Sequence, residues 1–164
     1  MNITIIGTGY VGLVTGVCLS NVGNKVTCFD IDKDKIDLLN SGKVPIYEPE
    51  LEPKMLSGIE LSNLKFSYSE KEAIEDSDII FITVGTPTLD NDSIDLSYIE
   101  AVSNMVGQNI NDNKVIVIKS TVPVGTSMRV KEIIEEHISN REIDCVIDLI
   151  CNPEFLKEGK AVRD

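Results

Sequence analysis

The 164-residue chain contains no tryptophan, a single histidine and only four cysteines. The cysteines lack Cys-x-x-Cys spacing and stand in apolar stretches, which is typical of reduced core thiols in a cytoplasmic protein. We therefore predict buried thiols at all four positions and no metal site. The four are Cys18, Cys28, Cys145 and Cys151.

Positive charge is also scarce, because 15 lysines and arginines stand against 27 aspartates and glutamates, for a net charge of −12. So acidic a surface disfavours contact with nucleic acid or with an anionic membrane. No apolar run reaches the length of about eighteen residues that a transmembrane helix needs. Met1 leads straight into an apolar run without a basic segment or a cleavage site, so we predict no signal peptide.

Short β-branched apolar runs alternate with segments of helical periodicity along the whole chain. This alternation indicates a doubly wound α/β fold with a mostly parallel sheet, the Rossmann type. The length suits one domain, which we place at residues 1–164. Strands are predicted at 2–6, 25–29, 64–68, 78–84, 114–119 and 145–150, and helices at 13–20, 32–39, 51–56, 69–74, 96–110 and 127–138.

A glycine motif, Gly7-Thr8-Gly9-Tyr10-Val11-Gly12, lies between the first strand and the first helix. Its glycines permit a tight turn, the approach of a pyrophosphate and close packing of the helix on the strand. The helix N-terminus then presents N–H groups to the phosphates. Asp30 ends the second strand, where a carboxylate binds the adenosine ribose and repels a 2′-phosphate, which favours NAD over NADP. A glycine-rich turn without a ligand is the alternative.

Polar loops follow the other strands, and right-handed crossovers bring their carboxyl ends to one edge of the sheet. Residues 84–88 and 120–125 are therefore placed to line the nicotinamide half of a cofactor site, although a plain turn at 84–88 is possible. Lys35 follows Asp30 closely enough to reach the adenosine, and a solvated helix lysine is an equal alternative. His137 stands in the last turn of a helix, remote from these loops, so we assign it a structural role.

Five motifs, at 7–13, 45–49, 84–87, 119–125 and 152–159, occur in this order along the chain. Together they resemble the N-terminal domain of the UDP-glucose/GDP-mannose dehydrogenase family, most of all its members that act on UDP-glucose. The resemblance covers essentially the whole chain. It implies oxidation of the C6 alcohol of UDP-glucose to a carboxylate with two NAD⁺, which yields UDP-glucuronate for polysaccharide synthesis.

The resemblance and the glycine motif together imply a set of NAD contacts. They are Gly7, Gly9, Tyr10, Val11, Gly12, Asp30, Lys35, Val84, Thr86, Thr121 and Glu158. By resemblance Glu154 is the general acid/base of thioester hydrolysis, supported by Thr121, and Glu154, Phe155, Leu156 and Lys157 contact the substrate. A carboxylate near a dry nicotinamide site is suited to activating water. Alternatively, Pro153-Glu154 simply begins a helix.

The family's catalytic cysteine, lysine and asparagine have no counterpart within these residues, because they belong to a central helical region and a second domain. Cys151 is an unsuitable replacement nucleophile, since nothing in the sequence indicates an activated thiolate, and we predict that it packs instead. We expect this chain to bind NAD without completing turnover, and the full-length protein to be a homo-oligomer. Two alternatives stay open: a dehydrogenase of GDP-mannose or a UDP-N-acetylhexosamine, and a non-catalytic NAD-binding regulatory module.

Overall fold

The computed structural model describes residues 1–163, which form six strands and six helices. The strands are β1 (Asn2–Ile6), β2 (Lys25–Phe29), β3 (Leu64–Ser67), β4 (Ile79–Ile82), β5 (Lys114–Ile118) and β6 (Ile147–Cys151). The helices are α1 (Tyr10–Asn21), α2 (Lys33–Asn40), α3 (Leu51–Glu60), α4 (Glu70–Glu75), α5 (Ser97–Asn109) and α6 (Thr126–Asn140). In this described part, no helix combines the length and the apolar character needed to span a membrane.

The six strands make one sheet in the order β3-β2-β1-β4-β5-β6, and every neighbouring pair is parallel. The order reverses between β1 and β4, which places the topological switch point at the carboxyl end of β1. The predicted doubly wound parallel sheet is confirmed. Its carboxyl edge is the edge at which the glycine motif and the other polar loops meet.

Two apolar cores cover the two faces of the sheet, because successive strand residues point to opposite sides. Ile5 packs with α1, α2 and α3, whereas its neighbour Ile6 packs with α4, α5 and α6. Both side chains are at most 1% exposed. The central strands are therefore sandwiched, as the β-branched runs predicted.

The edge strand β6 departs from prediction, since it begins two residues later than expected and ends at Cys151. Cys151 is exposed, so its predicted packing role is wrong, and Cys18 and Cys145 are only half-buried. Cys28 alone is a core thiol, and burial raises its pKa to about 12. The apolar run around Cys151 indicated burial. An edge strand, however, has no neighbouring strand on one side, so its residues can stay exposed.

The single histidine has a structural environment. His137 Nε2 hydrogen-bonds to Asn104 Oδ1 at 2.9 Å, which joins α6 to α5. A Cβ atom on Gly107 would come within 2.7 Å of the His137 Cβ, so the glycine makes room for this side chain. His137 is therefore a helix-packing residue, in agreement with the sequence interpretation.

Candidate functional site

The glycine turn connects β1 to α1, and its three glycines have different structural roles. Gly7 has φ +98°, a backbone conformation that disfavours side chains. A Cβ on Gly12 would lie 1.9 Å from the Gly7 carbonyl oxygen, so only glycine allows α1 to approach β1 this closely. A Cβ on Gly9, by contrast, would meet no atom within 4 Å. Gly9 therefore leaves space open toward a ligand, whereas Gly7 and Gly12 shape the turn itself.

The first turn of α1 presents its backbone N–H groups to the carboxyl edge. Gly9 occupies the N-cap position, provides no side-chain cap, and no acidic residue lies in the first turn. The positive end of the helix dipole and these N–H groups thus lack a side-chain anion of their own. A pyrophosphate fits this arrangement because it supplies the acceptor oxygens and the negative charge.

A threonine on the neighbouring strand braces the turn. Buried Thr83, which follows β4, directs its hydroxyl at the Ile6 and Gly7 carbonyl oxygens, at 2.9 and 2.8 Å. The same Oγ1 atom would lie 2.4 Å from a Cβ on Gly12. The sequence did not indicate this role for Thr83, because its partners are backbone carbonyl groups far away along the chain.

Asp30 is buried just after β2, and both of its carboxylate oxygens accept hydrogen bonds. Its Oδ2 accepts from Thr8 N (2.9 Å), Thr8 Oγ1 (2.7 Å) and Lys35 Nζ (2.8 Å), and its Oδ1 accepts from Asp32 N at 3.0 Å. Burial alone raises the pKa of Asp30, but the bonds from Lys35, Asp32 and Thr8 outweigh it and lower this pKa below its ordinary value. The carboxylate is thus ionised, and Oδ1 retains acceptor capacity for a ribose hydroxyl.

A cavity of about 390 Å³ adjoins this carboxylate and the glycine turn. Its walls combine backbone of the turn and apolar and aromatic side chains with three charged ones, Asp30, Lys35 and Glu70, which suits an adenosine with an apolar base and a polar ribose. Ile31 and Tyr98 were not predicted as site residues, since neither belongs to a recognisable motif. The lining includes Gly7, Gly9, Asp30, Ile31, Lys35, Val84, Gly85, Tyr98, Val102 and Met105.

A second, larger cleft of about 540 Å³ lies at the opposite edge of the sheet. It is lined by residues at the amino ends of β1, β2 and β3, among them Asn2, Lys25 and Leu64. None of the predicted site residues lines it, and it has neither the glycine turn nor the α1 N-terminus. Ligands of open parallel sheets bind at the carboxyl ends of strands, so the smaller cavity is the candidate site.

The loops after β4 and β5 meet beside this cavity, as predicted. Thr86 Oγ1 donates to the Thr121 carbonyl oxygen at 2.8 Å, and Ser120 Oγ donates to the Val84 carbonyl oxygen at 2.6 Å. The loop after β6 joins them, because Asn152 N donates to the Ile118 carbonyl oxygen at 2.9 Å. Loops from three strand ends therefore lie along one continuous edge.

The predicted substrate segment follows β6 as irregular chain. Glu154 does not begin a helix; its Oε2 accepts from Leu156 N at 2.8 Å, and the turns that follow span 158–163. Within residues 1–163, Glu154 and Thr121 make no hydrogen bond to each other, and the supporting role of Thr121 stays a prediction. Phe155 is 85% exposed, and Lys157 and Glu158 are exposed as well.

Comparison with known proteins agrees with this geometry. The family model for the UDP-glucose/GDP-mannose dehydrogenase family, NAD binding domain, matches residues 1–164. The chain belongs to this family. Among its relatives, the UDP-glucose 6-dehydrogenase TuaD of Bacillus subtilis is 46% identical over 162 residues, which cover 99% of this chain and 34% of TuaD. The UDP-glucose 6-dehydrogenase of Pseudomonas aeruginosa is 42% identical over 164 residues, covering 100% of this chain and 36% of the relative.

Solved structures of the UDP-glucose/GDP-mannose dehydrogenase family share the fold. A GDP-mannose dehydrogenase from Pseudomonas aeruginosa, solved as a ternary complex, superposes with a TM-score of 0.91 at 40% identity, covering 100% of this chain and 38% of that one. A UDP-glucose dehydrogenase from Pyrobaculum islandicum gives 0.90 at 33% identity, covering 99% and 38%. The chain thus spans little more than a third of the length of these relatives. Its cofactor is NAD.

The hydroxyl group of Tyr10, a predicted NAD contact of this dehydrogenase domain, forms hydrogen bonds within the protein. The Tyr10 hydroxyl donates to Glu48 and accepts from Gly159 N at 2.8 Å. Burial and the bond to Glu48 raise the pKa of Tyr10, so the phenol stays protonated and can donate. Glu48 belongs to the 45–49 motif, yet the sequence offered no partner for it. The side chain of Tyr10 therefore contacts the turns at 158–163.

Proposed function

We propose that this chain supplies the NAD-binding domain of a UDP-glucose 6-dehydrogenase. The proposal rests on one observation: two groups of residues lie at the same edge of the sheet. We call them the cofactor half and the reactive half of the site. The glycine turn, the free N-terminus of α1 and the Asp30 carboxylate adjoin the 390 Å³ cavity. The loops that hold Thr121 and Glu154 continue the same edge. A cofactor bound at the first half would extend its reactive end toward the second.

Roles for individual residues follow from this placement. The N–H groups of the first turn of α1 would bind the pyrophosphate, and Asp30 Oδ1 would accept from the ribose. Lys35 would stay beside the ribose, because its ammonium already contacts Asp30 at 2.8 Å. Thr86 and Thr121 would line the nicotinamide half of the site. Val11, Val84 and Glu158 would contact NAD as well.

The chemistry proposed for the whole protein is a four-electron oxidation of the C6 alcohol to a carboxylate. Bound NAD⁺ would supply the hydride acceptor, once for each of the two oxidations, and water would supply the second carboxylate oxygen. Glu154 is half-buried and lies on the loop after β6, where it would take a proton from that water. Phe155, Leu156 and Lys157 would hold the sugar nucleotide through their backbone.

The remaining steps need groups from elsewhere in a longer protein. The chain spans 34% of TuaD and 36% of the Pseudomonas enzyme, so we propose that a catalytic cysteine, lysine and asparagine come from regions outside residues 1–164. We also propose a cytoplasmic location, supported by free thiols at all four cysteines, and homo-oligomers for the complete protein. The uronate product would then serve polysaccharide synthesis.

A dehydrogenase of another nucleotide sugar is the second candidate. The similarity to a GDP-mannose dehydrogenase, at 40% identity and a TM-score of 0.91, supports it. A dehydrogenase that acts on a UDP-N-acetylhexosamine belongs to the same second candidate. A non-catalytic NAD-binding module is disfavoured, since a protein that only binds NAD needs no second functional loop with Glu154 and Thr121.

Calorimetric titration tests the cofactor roles. Wild-type chain should bind NAD⁺ at least about tenfold more tightly than NADP⁺, since the buried carboxylate of Asp30 repels a 2′-phosphate. Asp30→Ala should weaken NAD⁺ binding and narrow the difference between the two cofactors. Equal NAD⁺ affinity in wild type and variant would remove the ribose role of Asp30. Adding UDP-glucose and NAD⁺ to this chain should produce no NADH, and detectable NADH would refute the need for outside residues.

A further inference from the structure

Glu48 is a buried carboxylate that the proposed function does not use. It lies between Pro45 and Pro49, is 7% exposed, and has no lysine or arginine within ion-pair distance among residues 1–163. Taking a carboxylate out of water without a cation costs several kcal/mol, roughly, unless hydrogen bonds replace the lost hydration. An apolar side chain would fill the same space without that cost. The charge therefore calls for a specific role.

The acceptor atoms of Glu48 are all occupied by donors from distant parts of the chain. Gly159 N donates to Oε2 at 2.7 Å, Val162 N donates to Oε1 at 3.2 Å, and the Tyr10 hydroxyl donates to Oε2. Burial raises the pKa of Glu48, but the bonds from Tyr10 and from the backbone of Val162, Gly159 and Ala161 together lower it. The ionised form is the one that these donors stabilise.

The backbone donors belong to the turns that follow the substrate segment. Gly159 has φ +83°, Lys160 N donates to the Lys157 carbonyl oxygen at 2.9 Å, and Arg163 N donates to the Lys160 carbonyl oxygen at 3.0 Å. Such consecutive turns present their N–H groups in one direction, as the start of a helix does. The Glu48 carboxylate receives them much as an N-cap side chain would.

The third donor, the Tyr10 hydroxyl, links the Glu48 carboxylate to the residues that would bind the cofactor. Tyr10 is the first residue of α1, whose N–H groups face the pyrophosphate position, and its hydroxyl touches both Glu48 and Gly159. One carboxylate thus joins the first turn of α1 to the chain just after Glu154–Glu158. Ala161, 3% exposed and packed into the α1–α3 core, adds an apolar anchor at the same place.

We propose that Glu48 is a positioning residue that couples cofactor binding at α1 to the placement of the substrate segment 154–158. This inference rests on the proposed function, because it concerns the same site. Movement of the first α1 turn on NAD⁺ binding would be transmitted by Tyr10 and Glu48 to the Gly159 and Val162 amides. Binding of NAD⁺ should in turn hold the segment more rigidly.

Amide hydrogen exchange with and without NAD⁺ tests this coupling in the 164-residue chain. In wild type, NAD⁺ should slow exchange at Gly159 and Val162 by about threefold or more. Glu48→Gln keeps the shape and one acceptor oxygen but turns an N–H₂ group toward the other donor, so at least one of the two amides should exchange about tenfold faster and NAD⁺ should no longer protect it. NAD⁺ affinity should also fall, by about threefold or more.

Glu50→Gln is the matched control, since Glu50 is exposed and pairs with Arg163 on the outside of the same turns. It should leave NAD⁺ affinity and protection of Gly159 and Val162 within twofold, roughly, of wild type, because surface ion pairs contribute little. Should Glu48→Gln fail to fold, Tyr10→Phe removes one donor while retaining the ring and should abolish the NAD⁺-dependent protection.

The outcomes separate the two proposals. If wild type fails to bind NAD⁺, the proposed function fails. If wild type binds NAD⁺ but the Gly159 and Val162 amides do not respond to it, the coupling is refuted. Faster exchange in Glu48→Gln with unchanged NAD⁺ affinity would also refute it, and would leave Glu48 as a structural cap alone.

Discussion

The two halves of the carboxyl edge differ in how far they are assembled. In the cofactor half, the Asp30 carboxylate holds four hydrogen bonds and Gly12 allows a contact that no side chain would permit. In the reactive half, Glu154 has a single backbone partner within the described chain, and Phe155 is 85% exposed. The first half is built for binding before any ligand arrives. Under the proposed function, the geometry of the second half would have to tighten around a substrate, as catalytic hydrogen bonds often do.

The largest effect should come from Gly12→Ala. Its Cβ would collide with the Gly7 carbonyl oxygen and the Thr83 hydroxyl, so α1 would have to move away from β1. We expect a loss of about 3 kcal/mol in the free energy of unfolding, at the upper end for overpacking, together with loss of NAD⁺ binding. Urea denaturation and calorimetry measure the two. An unchanged unfolding midpoint would mean that the turn is far more pliable than its contacts indicate.

Asp30→Asn should rank next and should depend on pH. At neutral pH we expect a loss of about 2 kcal/mol, because an amide has only one acceptor oxygen and cannot accept both from Lys35 and Thr8 on one side and from Asp32 N on the other. The folded-state pKa of Asp30 lies below its ordinary value, so the carboxylate stabilises the fold above the unfolded-state pKa of about 3.9. This contribution disappears as the pH falls through the lower folded-state pKa.

Stability curves for wild type and Asp30→Asn between neutral and acidic pH check this linkage. The difference between them should shrink on acidification, since only wild type titrates at this position. A difference that stays constant, or grows, at acid pH would contradict the hydrogen-bonded carboxylate.

Gly9→Ala separates binding from folding within the cofactor half. The added Cβ meets no protein atom within 4 Å, and φ at Gly9 is −69°. The cost in unfolding free energy should stay below about 1 kcal/mol, the loss of a permissive N-cap. NAD⁺ affinity should nevertheless fall about tenfold or more, because the methyl group would occupy the pyrophosphate's approach. Unchanged affinity would place the phosphates elsewhere.

The smallest effects should come from the reactive half. Glu154→Gln loses only one backbone acceptor bond at a half-exposed position, so unfolding free energy and NAD⁺ affinity should stay within about 0.5 kcal/mol of wild type. In a complete dehydrogenase carrying this domain, the same change should reduce turnover by about 10²-fold or more. A large loss of stability from Glu154→Gln would contradict the claim that the reactive half is less tightly assembled than the cofactor half.

Local patterns in the sequence predicted the parts of this site that local chemistry determines. The β-branched runs located all six strands, and the glycine motif with Asp30 located the cofactor half. β6 begins two residues later than predicted. The exposure of Cys151 was missed because it depends on what lies beside an edge strand, which an apolar run does not reveal. Core thiols were overpredicted for the same reason.

Long-range side-chain pairs escaped prediction. Thr83 braces a turn 76 residues away, and Glu48 accepts from Gly159, 111 residues away. The motif at 45–49 stood out in the sequence, yet nothing local indicates which donors its carboxylate meets. Such pairs emerge only when the sheet order places the segments side by side.

The position of β1 in the middle of that order bears on how the chain folds. β1 precedes the other five strands in sequence, but one of its two neighbours, β4, spans Ile79–Ile82 and pairs with it across roughly half of the chain. Contacts so distant in sequence close slowly, because the loop entropy must be lost before the pairing is gained. Until β4 pairs with it, the apolar strand β1 would therefore have one unpaired edge, and such a state is prone to aggregation. Rapid docking of α1 and β2 on β1 would protect it until β4 arrives.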